Sequence, residues 1–147
     1  MTTQEKDLVL QDISGRLKYG VKCALCGRWE KKNGEDFKGY YTLIAVAIDK
    51  TWLDADNYPC LYSFERLSTP MDLTELKPYL RPITSMTDEE MQEYSNIDNR
   101  AYSCPKDYAH IPAKDRIDWL NEHHFDYRGL IEKGLAIKAP EGMYKFE

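Results

Sequence analysis

No stretch of this chain approaches the roughly 18 consecutive apolar residues of a membrane-spanning helix, so no such helix is expected. Basic charge is in deficit, with 20 Lys and Arg against 25 Asp and Glu, a net charge of −5. That argues against a simple duplex-DNA or anionic-membrane binder, since both need a positive field. The common catalytic signatures are missing as well: no P-loop, no G-x-G-x-x-G, no nucleophile elbow and no H-E-x-x-H. Asp54 and Asp56 begin like a calcium loop, but Tyr58 and Pro59 stand where a further ligand and a glycine would be needed. No cofactor is expected. The opening MTTQEKDLVLQD lacks the basic-then-apolar order of a secretory leader, so the expected address is the cytoplasm. The four cysteines are then expected as thiols or metal ligands rather than disulfides.

What the chain does have is enough apolar material for one core, 42 % of 147 residues, and a surplus of tyrosine. Eleven tyrosines suit half-buried sheet surfaces and contact faces, because each combines a large ring with a polar tip. A single domain over residues 1–147 is expected, with a helix and sheet in residues 1–82 and a helical part in 83–147. No internal repeat or low-complexity segment interrupts it.

The order of elements reads as α+β. Thr2 and Glu5 form a capping box ahead of a helix carrying Leu10, Ile13 and Leu17, which Gly15 can end. Residues 21–26 read as a short strand, and Asn33-Gly34 as a tight hairpin turn. Residues 40–48 form the strongest strand pattern, with Thr42, Ile44, Val46 and Ile48 on one face and Leu43, Ala45 and Ala47 on the other. After a polar turn at 54–59, residues 60–67 read as a third strand with Tyr62 and Phe64 sharing a face. A helical turn over 73–77 is expected to stop at Pro78, and residues 78–82 to be stiff and extended. Thr87 and Glu90 make a second capping box, for a helix through about Asn96. Residues 98–111 read as a loop. Pro112 opens a helix to about His123, with Ile117, Trp119 and Leu120 inward, and Asp126 caps another ending near Gly134. A last short strand over 136–138 precedes a turn at 140–142. The expected fold is therefore a small curved antiparallel sheet or small barrel over about residues 20–67, flanked by an N-terminal helix and a C-terminal helical pair.

Three segments, DLVLQDISGRLKYGVKC, LKPYLRPITSMTDEE and WLNEHHFDYRGLIEKGLAIKAPEGMY, resemble a family of short uncharacterised proteins carried by gut anaerobic bacteria and their prophages. They cover something under half of the chain, and the last is the most specific. The resemblance implies a small, intracellular, phage-associated accessory protein. It carries over no catalytic residue or ligand, and it does not extend to the segment between Gly27 and Leu73.

Four local patterns could carry chemistry. Cys23-Ala24-Leu25-Cys26-Gly27 has the shape of half a zinc knuckle, but a regular strand would point the two thiols to opposite faces. The pair also lacks the helix N-terminus that activates a redox cysteine, so plain thiols are the preferred reading. His123-His124, near Asp118 and Asp126, could form a base–orienter set with a cysteine, although histidines at a helix C-terminus are better explained by the dipole and by core packing. The helix–turn–helix outline of residues 112–134 offers Arg128 and Lys133 to DNA, offset by Asp126 and Glu132. Arg28, Trp29, Lys31, Lys32, Phe37, Lys38, Tyr40 and Tyr41 form the one locally basic, aromatic region and the best candidate contact surface, with a solvated hairpin tip as the preferred plain reading. The expected function is non-enzymatic binding of another macromolecule, a protein in preference to nucleic acid. A nucleic-acid accessory role through the basic aromatic hairpin is the alternative, and a zinc-stabilised module the third reading. The oligomeric state is left open.

Overall fold

Thr2 and Glu5 close the first capping box. The Thr2 hydroxyl accepts the Glu5 N–H at 3.1 Å, and the Glu5 carboxylate accepts the Thr2 N–H at 2.7 Å. Two backbone donors that the helix itself leaves unpaired are thereby satisfied. The helix they open, α1 (Thr3–Arg16), belongs to a computed structural model that describes residues 1–27, 40–47, 50–65, 67–99 and 111–145. α1 does not stop at Gly15. It runs on through Arg16 and a 3-10 turn (Leu17–Tyr19), and Gly20 turns the chain out at φ +69°. Gly15 meets a different need: a Cβ there would lie 3.1 Å from the Asn121 side-chain nitrogen, so a larger residue would disturb a close helix contact.

Among the described residues are six strands: β1 (Lys22–Leu25), β2 (Tyr41–Ala47), β3 (Leu61–Phe64), β4 (Leu67–Pro70), β5 (Leu76–Leu80) and β6 (Ile137–Lys138). Their spatial order is β4-β3-β2-β1-β5-β6, antiparallel throughout except for β5 and β6. The sheet curls into half a barrel. With α1 and two further helices, α2 (Asp88–Asn99) and α3 (Ile111–Glu122), it makes an α+β protein with a curved sheet. The main core fills the curl: Val9 and Ile13 from α1 meet Cys23, Leu25, Leu43, Tyr62 and Leu80 from the strands. A second cluster of Ile97, Trp119, Leu120 and Phe125 joins α2 to α3.

Three strand expectations change, each for a visible reason. In β2, Leu43 pairs with Phe64 but Ala45 pairs with Ser63, so Ile44 is an extra residue, a β-bulge. The bulge breaks strict alternation: Leu43 is buried, Ile44 is 58 % exposed, and Val46 returns to the core side. The strand expected over 60–67 is a hairpin instead, because Phe64 pairs with Leu67 and β4 runs back along β3. Pro78 does not end anything; it sits inside β5, opposite Cys23. The Cys26 N–H donates to the Glu75 carbonyl at 2.6 Å, which puts the hydrogen-bonded pairs at Cys26–Glu75 and Ala24–Lys77. Pairs alternate along an antiparallel ladder, so Pro78 falls where β1 asks for no N–H.

The second half differs more. The Thr87–Glu90 capping box forms, and α2 continues to Asn99. α3 buries Trp119 and Leu120 as expected, but Ile117 faces solvent at 41 % exposure. Asp126 does cap: its two carboxylate oxygens accept the Leu130 and Ile131 N–H groups at 2.8 and 2.9 Å. What it caps is a short run of turns rather than a helix, so the second helix expected after Asp126 is absent. The two helices beyond the sheet are α2 and α3. The Asn33-Gly34 turn and most of the loop expected over 98–111 lie outside the described residues.

α1 is tied to this half by a fully buried ion pair. The Arg16 guanidinium donates twice to the Asp12 carboxylate, both at 2.9 Å, with both side chains at 0 % exposure. Its remaining donors reach the Phe125 carbonyl at 2.6 Å and, more weakly, the Leu120 carbonyl at 3.5 Å. The Tyr127 ring covers it at 5.4 Å, and Arg128 approaches Asp12 from the other side at 3.5 Å. Asp12→Ala would strand Arg16 without its counter-charge, at a cost of about 3–5 kcal/mol. Urea denaturation should show this as a lower midpoint, and the double change Asp12→Leu/Arg16→Met should recover most of the loss.

Candidate functional site

Between β1 and β5 the ladder opens, and a side chain from far along the chain fills the gap. After Ala24–Lys77 the next hydrogen-bonded pair would be Lys22–Tyr79. There the Tyr144 hydroxyl is inserted: it accepts the Lys22 N–H at 2.9 Å and donates to the Tyr79 carbonyl at 2.8 Å. β5 parts from β1 at this point to run parallel to β6, and the phenol satisfies both backbone groups that the parting leaves.

The Tyr144 ring stacks on His124, with centroids 3.7 Å apart and planes 15° from parallel. His124 owes its place to the end of α3. Its N–H donates to the Asn121 carbonyl at 3.1 Å and the Phe125 N–H to the Leu120 carbonyl at 3.0 Å, the Schellman pattern. The residue at the turning point is usually glycine, yet here it is His124 at φ +60°. Leu120 and Phe125 supply the hydrophobic contact that accompanies such a cap. Burial, and then the nearby Arg16 charge, push the His124 pKa down to about 3, so the imidazole is neutral at pH 7. Burial likewise raises the Tyr144 phenol well above its ordinary value and keeps it protonated.

Over this slot lies Lys22. Its ammonium donates to the Met143 carbonyl at 2.9 Å and sits 4.9 Å from the Tyr40 ring centroid and 5.5 Å from that of Tyr144. Both distances suit cation–π attraction. Tyr144 also lines two cavities. One, of about 440 Å³, is lined by Arg81, Ser85, Thr87, Lys138 and Glu141; the other, of about 360 Å³, by Tyr19, Lys22, Glu122, His124 and Lys145.

The residues singled out in the sequence scatter. Of the basic aromatic set, Tyr40 reaches this face beneath Lys22, whereas Tyr41 is buried in the core against Phe64. Arg28, Trp29, Lys31, Lys32, Phe37 and Lys38 lie outside the described residues, as do Cys104 and His110. Cys23 is wholly buried and its thiol pKa is raised by that burial, while Cys26 is half-buried. Among the described residues no three His, Cys, Asp or Glu side chains gather closely enough to hold a metal. His123 and His124 part company: His123 stacks on Trp119 at 4.0 Å, with Nδ1 against the Trp119 carbonyl. Asp118 pairs with Lys114 at 2.8 Å and Asp126 is the cap described above, so neither orients His124. Without a second helix, Arg128 turns inward toward Asp12 and Tyr127. At the Asp54–Asp56 turn the Lys6 ammonium sits between the carboxylates, at 2.9 and 2.8 Å. Sequence reasoning missed Tyr144, Lys22 and His124 as a group. The one available signal was His124 within a dense C-terminal pattern, and nothing local pointed to Lys22.

Comparison of the chain with protein-family models, with curated proteins and with solved structures finds no match. Among the described residues no helix is long and apolar enough to cross a membrane.

The geometry makes two outcomes measurable. Tyr144→Phe keeps the ring but leaves the Lys22 N–H and Tyr79 carbonyl without the phenol, which should cost about 1–3 kcal/mol in urea denaturation. An unfolded histidine takes its proton near pH 6.5, but folded His124 only near pH 3. Through that window the unfolded chain binds the extra proton, so stability falls as pH drops. Between pH 7 and 5, above most carboxylate titration, His124 should account for about 2 kcal/mol of lost stability. His124→Asn, which tolerates positive φ, should flatten that part of the profile.

Proposed function

We propose that this is a non-catalytic interaction protein that binds another protein through the lysine–tyrosine face where β1 begins. The observation carrying this reading is the Lys22 ammonium held between the Tyr40 and Tyr144 rings. It is a cationic, aromatic spot on a protein of net charge −5. Rigid tyrosines backed by a fixed charge suit recognition of an acidic partner. Tyr40 also borders the segment that holds Lys31, Lys32 and Lys38, which would extend the face in sequence. Groups that chemistry would call on are committed to the fold: Cys23 to the core, Asp12 to Arg16, neutral His124 to the stack on Tyr144. The resemblance to prophage-borne proteins supports a phage-associated, cytoplasmic setting.

A second reading rests on the same spot. Lysine interleaved with stacked tyrosines is also the arrangement single-stranded nucleic acids use. Affinity capture with the tagged full chain, with and without nuclease, separates the two. The protein-binding reading expects a nuclease-resistant partner whose affinity drops about tenfold, near 1.4 kcal/mol, in Lys31→Glu/Lys32→Glu/Lys38→Glu. Salt-sensitive binding of a labelled oligonucleotide, abolished by the same changes, would transfer the function to nucleic acid. Partner binding indifferent to these changes would take Lys31, Lys32 and Lys38 out of the contact, and indifference to Lys22→Glu as well would discard this face altogether.

A further inference from the structure

Tyr144 is seated as a ligand is seated. Its hydroxyl is read by one donor and one acceptor, the Lys22 N–H and the Tyr79 carbonyl, and both are backbone groups fixed by the sheet. Its ring lies flat on a buried imidazole whose position is set by the cap of α3. The carbonyl of the preceding residue, Met143, is held by Lys22 Nζ, so the main chain entering the slot is gripped as well. These contacts are made by Met143 and Tyr144, and a turn in which the Met143 N–H donates to the Pro140 carbonyl at 3.1 Å presents the pair.

The tether that brings Tyr144 here is slight. Pro140, Glu141 and Gly142 are exposed, and the Ala139 N–H to Leu80 carbonyl bond ends the pairing of this segment with β5. Tyr144 is thus the anchor of residues 140–145. Tyr144 lines both cavities, of about 440 and 360 Å³, the first of them walled in part by residues 139–142 of its own segment. An extended segment could thread a tyrosine into the slot and run its flanking residues into both.

We infer that the slot between β1 and β5 is a tyrosine-recognition site, occupied in this chain by Tyr144 and open by exchange to a tyrosine-bearing extended segment of a partner protein. The inference rests on the protein-binding reading above and names the chemistry of its ligand. Unmodified tyrosine is the side chain that fits. Phenylalanine would remove the hydroxyl that the Lys22 N–H and the Tyr79 carbonyl both bond, and sites that read a hydroxyl discriminate against its loss. A phosphorylated tyrosine could not donate to the Tyr79 carbonyl and would press its charge against it. Occupation in cis works as a built-in competitor, since a short tether gives Tyr144 an effective concentration in the millimolar range.

The test uses the full chain carrying Tyr144→Ala and the nine-residue peptide APEGMYKFE, the chain's own residues 139–147, in tyrosine, phenylalanine and phosphotyrosine forms. Calorimetric titration should show the tyrosine peptide binding the variant, and binding wild type at least about tenfold more weakly because the slot is filled. The phenylalanine peptide should bind the variant about tenfold less tightly than the tyrosine peptide. A folded variant that binds none of the peptides, or binds the tyrosine and phenylalanine forms equally, overturns the proposal. Should Tyr144→Ala fail to fold, Tyr144→Phe retains the ring and empties only the hydroxyl position. The tyrosine peptide should then move the His124 ring resonances of that variant, and unmoved resonances at saturating peptide would count against the slot. A partner captured equally by wild type and Tyr144→Ala, yet lost in the triple lysine variant, would remove the slot and leave the surface reading standing.

Discussion

Arg16 brings a full charge into the centre of the molecule, and the path of the chain from Leu120 to Arg128 is arranged around it. A guanidinium without water is tolerated only if its charge is matched and its donors are used. Asp12, one helical turn earlier, supplies the charge with two bonds of 2.9 Å. The Phe125 carbonyl takes a third donor, and the Tyr127 ring covers the face. Each of these lies just beyond α3, so the buried charge dictates where α3 must end and how the chain must leave it. The carbonyls at a helix C-terminus are the natural acceptors for such a cation, because the helix leaves them unpaired and the dipole makes them negative.

A second arginine closes the same segment from the sheet side. Arg81, at the end of β5, exchanges backbone hydrogen bonds with His124 and Asp126, both at 2.8 Å. Its guanidinium lies 4.2 Å from the Phe125 ring centroid while pairing with Glu90 at the start of α2. Residues 120–126 are therefore clamped between α1 and β5. That clamp holds His124 at positive φ, a conformation a histidine adopts only when its surroundings insist. From His124 the consequence runs outward: the imidazole face supports Tyr144, Tyr144 bridges the fork of β1 and β5, and Lys22 settles over the tyrosine. The lysine–tyrosine cluster of Lys22, Tyr40 and Tyr144 is thus positioned by an ion pair in the interior.

Local chemistry written into adjacent residues is what sequence reading recovered. The two capping boxes expected, Thr2–Glu5 and Thr87–Glu90, involve groups three residues apart, so their outcome was visible without knowing the fold. The strand cores, the polar turn at 54–59 and the inward Trp119 and Leu120 followed from periodicity for the same reason. Where periodicity failed, a partner elsewhere had overruled it. Val46 parts from Ile44 and returns to the core side because the pairing with β3 holds a bulge, and Pro78 stays in a strand because β1 requires no N–H opposite Cys23. Gly15 lies inside α1, where its missing side chain leaves room for Asn121. The turns after Asp126 read as a helix because their cap and their leucine spacing are those of one. Leu130, Leu135 and Ala136 are instead drawn separately into the main core.

The candidate site follows the same division. Sequence alone determined an α+β chain with one core's worth of apolar residues, acidic overall, rich in tyrosine, with no catalytic signature. It also pointed to a cationic, aromatic neighbourhood around Tyr40. Only the tertiary structure decided that Lys22, Tyr40, His124 and Tyr144 meet, since Lys22 and Tyr144 are 122 residues apart and their hydrogen bond leaves no local trace. Hydrogen-bonding groups orphaned where two strands part can be matched by any hydroxyl the fold brings near, and which one arrives is settled by packing, not by pattern.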